Sequence, residues 1–395
     1  MDIARFKSIA IEEIGAESPR LAEISRNLHD NPETAFEEHR AAEWLAAYLE
    51  SKGFAVEKGI CDLPTAFRGR YGTGKPVIAF LAEYDALPGI GHACGHNLIA
   101  VSALAAGVAA GRVVDELGHG SIMVFGTPGE ELYGGKAMMA GRGAFDGVDA
   151  AMITHPGGGN RVIMHTLAVQ TLDVEFIGRE AHAAAQPETG VNALEAMILS
   201  FNAVNSLRQH VREKARIHGI ITDGGKASNV VPAYSAASFM VRADEEAYLD
   251  ELEEKVINCF HGASLATGAE LRYKWGEVRY ATMLNNLTMA ELFRSNFGSL
   301  GRDIPLGDTT IMNFSTDVGN VSKLVPTIQP LVSIAPDDVL IHSPRFAEAA
   351  AGAGALHCFL DAARAMAMTA VDLLADPEIM KKAADDFRKG REGIP

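Results

Sequence analysis

The sequence predicts a two-domain α/β protein in which a small α+β domain is inserted into a larger one. Its 395 residues exceed the roughly 250–300 residues at which a single hydrophobic core usually divides. Short, continuously apolar runs alternate with helical patterns in the first part of the chain, as in a sheet covered on both faces. Near residue 168 this alternation is replaced by strands with one polar face. The alternation resumes after residue 280.

The larger domain begins with alternating helix and strand patterns. Residues 38–53 predict a helix whose C-terminal cap is Gly53, and residues 98–114 predict a second helix. Between and around them lie runs too short and too apolar for surface helices, which predict strands buried on both faces of a sheet: VIAFLA (77–82), SIMVFG (121–126) and AAMIT (150–154). The order strand, helix, strand indicates parallel strands joined by right-handed crossovers.

The inserted domain has a different pattern. In TLDVEFIG (171–178), apolar residues alternate with Thr, Asp and Glu, which is typical of a strand with one wet face. The segments that follow predict a helix, two strands, a helix and a strand: about 192–211, 216–222, 234–242, 245–265 and 270–275. The order βαββαβ is ferredoxin-like. We therefore expect an inserted domain at 168–277, with 1–167 and 278–395 forming the larger domain.

The last part of the chain again shows the pattern of the larger domain. Residues 324–336 predict strand material interrupted by prolines, and residues 347–374 predict one long, Ala-rich helix. The amino-terminal residues predict an amphipathic helix without the apolar run and cleavage site of a signal peptide. No segment reaches the roughly 18 continuous apolar residues of a membrane span, so no membrane partner is expected.

Composition narrows the possible partners. The formal net charge is −16, which argues against binding to nucleic acid because its phosphates would be repelled. The four cysteines are scattered and contain no CxxC pair. In a chain of this size they are interpreted as reduced thiols, and the cytoplasm is the expected location.

The densest chemical signal is EYDALPGIGHACGHN (83–97), which follows the first predicted buried strand. It holds two carboxylates, two histidines and Cys94 on a Gly- and Pro-rich stretch. Thiolate and imidazole are good ligands for zinc and similar ions. Taken alone, the stretch is compatible with a metal site or with a loop of incidental residues.

A second signal, TPGEELYGG (127–135), follows the next buried strand. Adjacent carboxylates at a strand end are costly unless they are solvated or bound to a cation. One could bind metal while its neighbour activates water as a general base. The alternative is a solvated loop.

His155 in THPGGG and His342 in IHSP are weak signals separately, because a lone histidine in a loop is more often structural. The repetition is what favours chemistry. Three consecutive buried strands each end in possible metal ligands, and in open α/β sheets ligands bind at the carboxyl ends of strands.

Taken together, these motifs resemble the M20 family of metallopeptidases and amidohydrolases, and within it subfamily D. The branch with aminoacylase-1-like protein 2 and the p-aminobenzoyl-glutamate hydrolase B subunit is the most similar. The matching motifs keep the family's order along the whole chain: HDNPETAFEEHRAAEWL (29–45), EYDALPGIGHACGHN (83–97), TPGEE (127–131), THP (154–156), GREAHAAAQPETGVNAL (178–194), SNVVPA (228–233), STDVGNVS (315–322) and IHSP (341–344). The resemblance implies a zinc-peptidase-like catalytic domain with an inserted lid or dimerisation domain.

The resemblance also implies a ligand set for two divalent metal ions. Cys94 stands at the position of the ligand that bridges the two ions. His96 and His155 stand at the positions of terminal ligands of one ion, and Glu131 and His342 at those of the other. Zinc is favoured by the soft thiolate ligand, with Mn²⁺ or Co²⁺ as alternatives.

The resemblance also implies roles for other residues in the matching motifs. Glu130 would be the general base that takes a proton from the attacking water and passes it to the leaving amine. Asp85 would orient a metal ligand without binding the metal itself, as carboxylates that contact ligating side chains do in metal sites. His92 is not a ligand in the family pattern, and Asp317 is expected to have a structural or outer role.

The inserted domain is expected to contribute to the active site as well. His182 matches a histidine that stabilises the oxyanion, often in the partner subunit, which implies a homodimer formed through this domain. Asn229 matches a residue that holds substrate. Arg242 is either a residue that binds a substrate carboxylate or an ordinary surface arginine.

The expected function is metal-dependent hydrolysis of an amide bond in a small N-acyl or N-aroyl amino acid or dipeptide. One alternative is hydrolysis of another C–N bond, in an aromatic amine or a carbamate, at the same metal site. A second alternative is a non-catalytic binding protein, which would be marked by loss of a ligand or of the acidic pair. Neither is lost here.

Overall fold

In the computed structural model, which describes residues 2–307 and 312–392, the chain divides into two units. The first unit contains residues 2–165, 283–307 and 316–392, and the second contains Thr166–Thr282 together with residues 312–315. The second unit therefore interrupts the first in the sequence.

The helices and strands carry one set of labels in chain order. They are α1 (Ile3–Asp30), α2 (His39–Ser51), β1 (Ala55–Lys58), β2 (Phe67–Gly72), β3 (Val77–Ala82), α3 (His96–Leu117), β4 (Ser121–Gly126), α4 (Gly135–Gly141), β5 (Ala150–Met152), β6 (His155–Gly157), β7 (Ala168–Ile177), α5 (Ala193–Leu207), β8 (Arg216–Asp223), β9 (Tyr234–Ala243), α6 (Glu246–Thr267), β10 (Glu270–Trp275), α7 (Leu287–Ser299), α8 (Val318–Ser322), β11 (Thr327–Ile328), β12 (Leu331–Ser333), α9 (Pro344–Ala350), α10 (Ala353–Ala375) and α11 (Pro377–Glu392).

The first unit is organised around a six-stranded sheet in the order β1-β2-β4-β3-β5-β11. Strands β4, β3, β5 and β11 run parallel, whereas β1 and β2 pair antiparallel at one edge. Every residue of β3, β4 and β5 is buried, as their continuous apolar runs predict. The parallel order places the carboxyl ends of these three strands side by side.

Helix α3 lies at the centre of this unit, packed on β3 and β4 and flanked by α1 and α10. It is apolar nearly all round, because it is buried on all sides. By length and composition α3 could cross a membrane, but 94% of its most apolar window is buried inside the protein. That burial is the property of a central helix in a folded core.

Two predictions for the end of the chain need correction. Residues 324–336 contain two very short strands in different sheets, because β11 pairs with β5 and β12 pairs with β6. The single helix predicted for 347–374 is two helices, α9 and α10. The break falls at Gly352, whose ψ of 140° is extended rather than helical, and α9 begins earlier, at Pro344.

The second unit has the predicted ferredoxin-like order of elements, β7-α5-β8-β9-α6-β10. Its antiparallel sheet has the spatial order β10-β7-β9-β8. Helices α5 and α6 pack against each other and against the sheet. Leu172, Val174 and Phe176 point into this core while the residues between them are less buried, which confirms the predicted alternation.

Candidate metal centre

The polar side chains of the candidate site in the first unit follow three neighbouring strands. Glu83 and Asp85 come directly after β3, and Glu130 and Glu131 follow β4. His155 follows β5 as the first residue of β6. Because the order in the sheet is β4-β3-β5, these side chains converge at one edge.

The start of α3 adds two more side chains. His96 is the first residue of the helix, and Cys94 immediately precedes the capping residue Gly95. Gly95 has φ of 75°, and a Cβ there would lie 2.7 Å from Cγ of Pro156. A glycine is therefore required for the Cys94 loop to turn into α3 while packing against the His155 segment.

The donor atoms form two groups that share one thiol. Cys94, His96 and His155 present ligand atoms within 4.8 Å of one another, and so do Cys94, Glu131 and His342. Cys94 Sγ lies 3.6 Å from His155 Nε2, and His342 Nε2 lies 3.3 Å from Glu131 Oε1. The five residues expected to bind metal thus lie together, with Cys94 between the two pairs.

The buried histidines are oriented with one nitrogen facing this cluster. His96 Nδ1 lies 2.9 Å from the carbonyl oxygen of Asp85 and 3.1 Å from its Oδ1, both of which are acceptors. His155 Nδ1 lies 2.6 Å from the carbonyl oxygen of Pro156. Nδ1 of each ring therefore carries a proton, and in the neutral form that binds metal Nε2 offers its lone pair to the cluster. Despite burial, Asp85 and Cys94 raise the pKa of His96 well above its ordinary value.

Asp85 also contacts Glu131, a member of the second donor group. Its Oδ2 accepts a hydrogen bond from Glu131 N at 3.0 Å. One carboxylate thus contacts both His96 and the backbone N–H of Glu131. Burial opposes ionisation of Asp85, but His96 and the backbone donor outweigh it, so the pKa of Asp85 lies below its ordinary value.

His342 is placed differently from the other ligands. Its side chain is 50% exposed, and its backbone has φ of 65°, in the left-handed region. His342 N donates to the carbonyl oxygen of Ala93 at 3.0 Å, which ties its loop to the residue beside Cys94. A non-glycine residue in this conformation is uncommon and is often found at a functional site.

The spacing and chemistry of these atoms fit divalent ions. Two nitrogen or oxygen ligands of a tetrahedral zinc ion lie about 3.3 Å apart, and a sulfur and a nitrogen about 3.6 Å apart. Within the part of the chain that the structure describes, His96 Nε2 is buried and makes no hydrogen bond. A buried lone pair without a donor is costly, and a bound cation would satisfy it.

The electrostatics of the cluster also favour a bound cation. Burial, with a smaller contribution from Glu131, raises the pKa of the Cys94 thiol well above its ordinary value. Burial lowers the pKa of His155 and keeps that imidazole neutral. A thiolate at Cys94 therefore needs a cation beside it, and His155 is already in the form that binds one.

Glu130 is buried and lies with His96 and Glu131 in a third group of candidate ligand atoms within 4.8 Å of one another. Burial and the neighbouring Glu83 and Glu131 raise its pKa well above the ordinary value for a glutamate. The two consecutive glutamates of the TPGEE motif therefore have different environments, since the pKa of Glu131 is lowered by His342 and His96 despite burial.

A buried lysine and two buried carboxylates form a charge cluster next to these ligands, and the sequence analysis did not identify all three. Lys136 Nζ lies 2.8 Å from Glu83 Oε1 and 2.7 Å from Asp317 Oδ1, and all three side chains are fully buried. Lys136 N also donates to Asp317 Oδ2 at 2.8 Å. Asp317 thus contacts both the ammonium group and the backbone N–H of Lys136. Lys136 carried no sequence signal, because its burial depends on partners far away in the chain.

His92 is buried, and its ring stacks on that of His29 with centroids 6.3 Å apart. It belongs to none of the groups of candidate ligands among the described residues.

The residues expected from the inserted domain lie in the second unit. His182 Nδ1 accepts hydrogen bonds from Ala184 N and Ala185 N at 3.3 and 3.1 Å. Its Nε2 therefore carries the proton and is a donor. Ala183 N donates to the carbonyl oxygen of Asn229 at 3.0 Å, so His182 and Asn229 lie on adjacent segments.

Arg242 is half-buried at the end of β9, where Nη1 donates to Ser315 Oγ at 3.1 Å. Burial lowers the pKa of its guanidinium. It is therefore more enclosed than an ordinary surface arginine.

Known proteins with these features were found by sequence and by fold. The family model of the M20 peptidase dimerisation domain matches residues 169–264. The Xaa-Arg dipeptidase of Homo sapiens is 35% identical over 407 residues, covering 98% of this chain and 93% of its own length. The B subunit of the p-aminobenzoyl-glutamate hydrolase of Escherichia coli (strain K12) is 36% identical over 320 residues, covering 75% of this chain and 66% of its own.

The fold is similar to that of a dinuclear metal-binding peptidase of the M20 family from Bacillus subtilis. The TM-score is 0.67 at 19% identity, over 91% of this chain and 99% of that one.

Proposed function

Since the chain belongs to the M20 family of metallopeptidases and amidohydrolases, we propose that the two donor groups sharing Cys94 each hold one divalent ion. The chain is a metallo-hydrolase that cleaves an amide bond in a small acyl amino acid or dipeptide. The single observation that carries the assignment of the site is that Cys94 belongs to both groups. A thiolate in that position can bridge two ions.

The metal assigned here is zinc, with Mn²⁺ or Co²⁺ as alternatives. One thiolate and three imidazoles among the five donors favour a borderline-soft ion. When bound, two such ions polarise a carbonyl group and lower the pKa of water.

Glu130 is assigned as the general base. It takes a proton from the attacking water and returns it to the departing nitrogen. A carboxylate with a raised pKa suits this exchange, because it holds a proton more readily than an ordinary glutamate does. Asp85 keeps His96 and Glu131 in position while the proton moves.

We assign the stabilisation of the oxyanion to His182. Its Nε2–H is a neutral donor, fixed by the two backbone bonds to Nδ1, and such a donor stabilises negative charge that develops on a carbonyl oxygen. Asn229 is assigned to substrate binding, since the segments on either side of it line an open cavity of about 450 Å³ within the second unit.

We infer that the substrate carries a free carboxylate. Arg242 is the proposed partner for that group, and Lys226 lines the cavity beside Asn229. The human relative is named for dipeptides that end in arginine and the Escherichia coli relative for p-aminobenzoyl-glutamate. Both kinds of compound have a carboxylate next to the scissile amide.

We further propose a homodimer formed through the edge strand β8 and a cytoplasmic location. Among the residues that the structure describes, strand β8 pairs on one side only, and it exposes Ile220 and Ile221 by 66% and 41%. An apolar, unpaired edge is a ready surface for a second strand. The free state of all four cysteines is compatible with a reducing compartment.

The function is tested by amine release from a panel of N-acyl and N-aroyl amino acids and dipeptides, including dipeptides that end in arginine. Release should depend on added Zn²⁺ or Mn²⁺ and stop with chelator. Glu130→Gln should bind the same two ions per chain and lower kcat by about 10²–10⁴-fold.

Three outcomes would contradict parts of the proposal. Near-normal kcat in Glu130→Gln would exclude its role as the general base. No release by wild-type protein that holds two ions would favour another C–N bond, such as a carbamate. No bound metal after reconstitution would overturn the metal centre itself.

A further inference from the structure

Glu83 is a buried carboxylate whose two oxygens face different partners. Oε1 lies 2.8 Å from Lys136 Nζ, while Oε2 lies 3.6 Å from His96 Nε2. Within the described residues Oε2 makes no hydrogen bond, although the side chain is fully buried. A buried carboxylate oxygen without a donor is as costly as the buried nitrogen that it faces.

The two facing atoms cannot satisfy each other while the His96 ring is neutral. His96 carries its proton on Nδ1, which is directed at two oxygen atoms of Asp85. In the neutral form of His96, which is the form that binds metal, Nε2 and Glu83 Oε2 are both acceptors, and the contact between them is repulsive unless a cation lies nearby. Their separation of 3.6 Å is close to the about 3.3 Å between two ligands of one tetrahedral zinc ion.

We propose that Glu83 is a sixth protein ligand of the metal centre and binds through Oε2 the ion that His96 holds through Nε2. This inference rests on the metal centre proposed above. It gives that ion one thiolate, two imidazoles and one carboxylate. The added carboxylate oxygen makes this donor set chemically harder than Cys94, His96 and His155 alone. A harder donor set is more favourable to Mn²⁺.

Lys136 determines which oxygen is the ligand. Its ammonium group binds Oε1 and so leaves Oε2 directed at His96. Asp317 takes the opposite side of the ammonium at 2.7 Å, which fixes Lys136 between two carboxylates. Lys136 and Asp317 are positioning residues in this arrangement, and Glu83 is the only one of the three that touches the ion.

Metal binding to purified full-length protein tests the proposal without reference to turnover. Glu83→Gln keeps the size of the side chain and removes its charge. Asp317→Asn is the matched control, because it removes the other carboxylate from Lys136 and leaves Glu83 in place. Affinities for Zn²⁺ are measured by competition with a chromophoric chelator, stoichiometry by elemental analysis, and ligand geometry from the visible spectrum of the Co²⁺ form.

Wild-type protein should bind two ions per chain. Glu83→Gln should hold one ion within about threefold of wild-type affinity and the other at least about 100-fold more weakly, because loss of an outer partner alone costs about 10–100-fold. Its Co²⁺ spectrum should change. Asp317→Asn should weaken either ion by less than about tenfold and keep the wild-type spectrum.

The ligand role is overturned if Glu83→Gln binds both ions as wild type does, or if both variants weaken binding equally, which would make Glu83 part of a charge cluster only. If Glu83→Gln fails to fold, Glu83→Asp keeps the charge and withdraws the oxygen. Unchanged affinity in that variant overturns the role as well. Failure of wild-type protein to bind metal would instead overturn the proposed metal centre.

Discussion

At the scale of single residues, Glu38 joins three segments beneath the metal centre. The residue precedes α2 and is fully buried. Its Oε1 accepts a hydrogen bond from Gly129 N at 2.9 Å, and its Oε2 accepts one from Thr65 Oγ1 at 2.9 Å. Gly129 immediately precedes Glu130, so Glu38 supports the backbone that carries the proposed base. Burial, with a contribution from Asp85, raises the pKa of Glu38 from 4.5 to about 7.

This raised pKa predicts a loss of stability as pH rises. Below pH 4.5 the carboxyl is protonated in both the folded and the unfolded chain. Between that value and about 7 the folded chain keeps the proton and the unfolded chain loses it, so the free energy of unfolding falls. Glu38→Gln cannot titrate. The free energy of unfolding of wild type relative to this variant should decrease by about 2–3 kcal/mol between pH 5 and pH 8.

Denaturant unfolding of chelator-treated protein at the two pH values measures this difference. Glu37→Gln is the control, since the Glu37 side chain is 75% exposed and should leave the pH dependence of wild type unchanged. The same pH dependence in Glu38→Gln and wild type would show that Glu38 does not titrate in this range.

The residues of the site differ in how far the sequence could reveal them. Cys94, His96 and Glu131 stand in motifs after buried strands, so their chemistry and their position at one sheet edge were both predictable. Glu83 stands in the same motif, but nothing in its spacing distinguishes a ligand from a solvated carboxylate. Lys136 could not be found, because a buried lysine is stable only beside carboxylates that the fold brings to it.

At the scale of elements, the contact between α3 and β4 places the start of α3 in the site. Gly107 lies where the helix meets the sheet, and a Cβ there would lie 2.3 Å from Val124 Cγ2. The backbone of α3 therefore lies directly on β4. Because His96 is the first residue of α3, this packing also determines where the imidazole stands relative to Glu131.

Gly107→Ala should lower the free energy of unfolding by about 1–3 kcal/mol, since the new methyl group overlaps a stiff, buried side chain. Gly262 provides a matched control in α6, because a Cβ there meets no atom within 4 Å. Gly262→Ala should raise stability by about 0.5–1 kcal/mol, as alanine does for glycine inside an exposed helix. Denaturant unfolding measures both changes. Equal effects in the two variants would contradict the close contact.

A helix or strand was predictable from the sequence where a single hydrophobic pattern extends over all of its residues. The bounds of β3 and β4 agree with the predicted runs 77–82 and 121–126, because each run is apolar throughout and ends at a turn. The break between α9 and α10 was missed, since Gly352 lies within a run of alanines that favours helix on both sides. Strands as short as β11 and β12 owe their existence to their neighbours rather than to their own residues.

At the scale of the whole molecule, the two edges of the second sheet differ in character. Strand β8 exposes Ile220 and Ile221, whereas β10 carries Arg272 and Lys274, whose charges discourage pairing. Of these two edges, the β8 edge is the one assigned to the proposed dimer. Its position in an inserted domain was predictable because the βαββαβ order contrasts with the apolar strands around it.

Ile220→Lys should convert the proposed dimer into a monomer, because a lysine on the apolar edge opposes strand pairing. Tyr273→Lys makes an equivalent change on β10, where Tyr273 is 45% exposed, and should leave the dimer intact. Light scattering should give twice the chain mass of 42.1 kDa for wild type and the control. A dimeric Ile220→Lys protein, or a monomeric control, would place the interface elsewhere.

The interruption of the first unit by the second also orders events during synthesis. Cys94, His96 and His155 all precede the inserted unit, whereas His342 follows it. A ribosome therefore releases one complete donor group, and then a whole inserted unit able to build its own core, before the last histidine is made. The proposed second donor group is incomplete until the segment that carries His342 has been made. Assembly of the proposed dinuclear centre therefore has to follow the synthesis of His342.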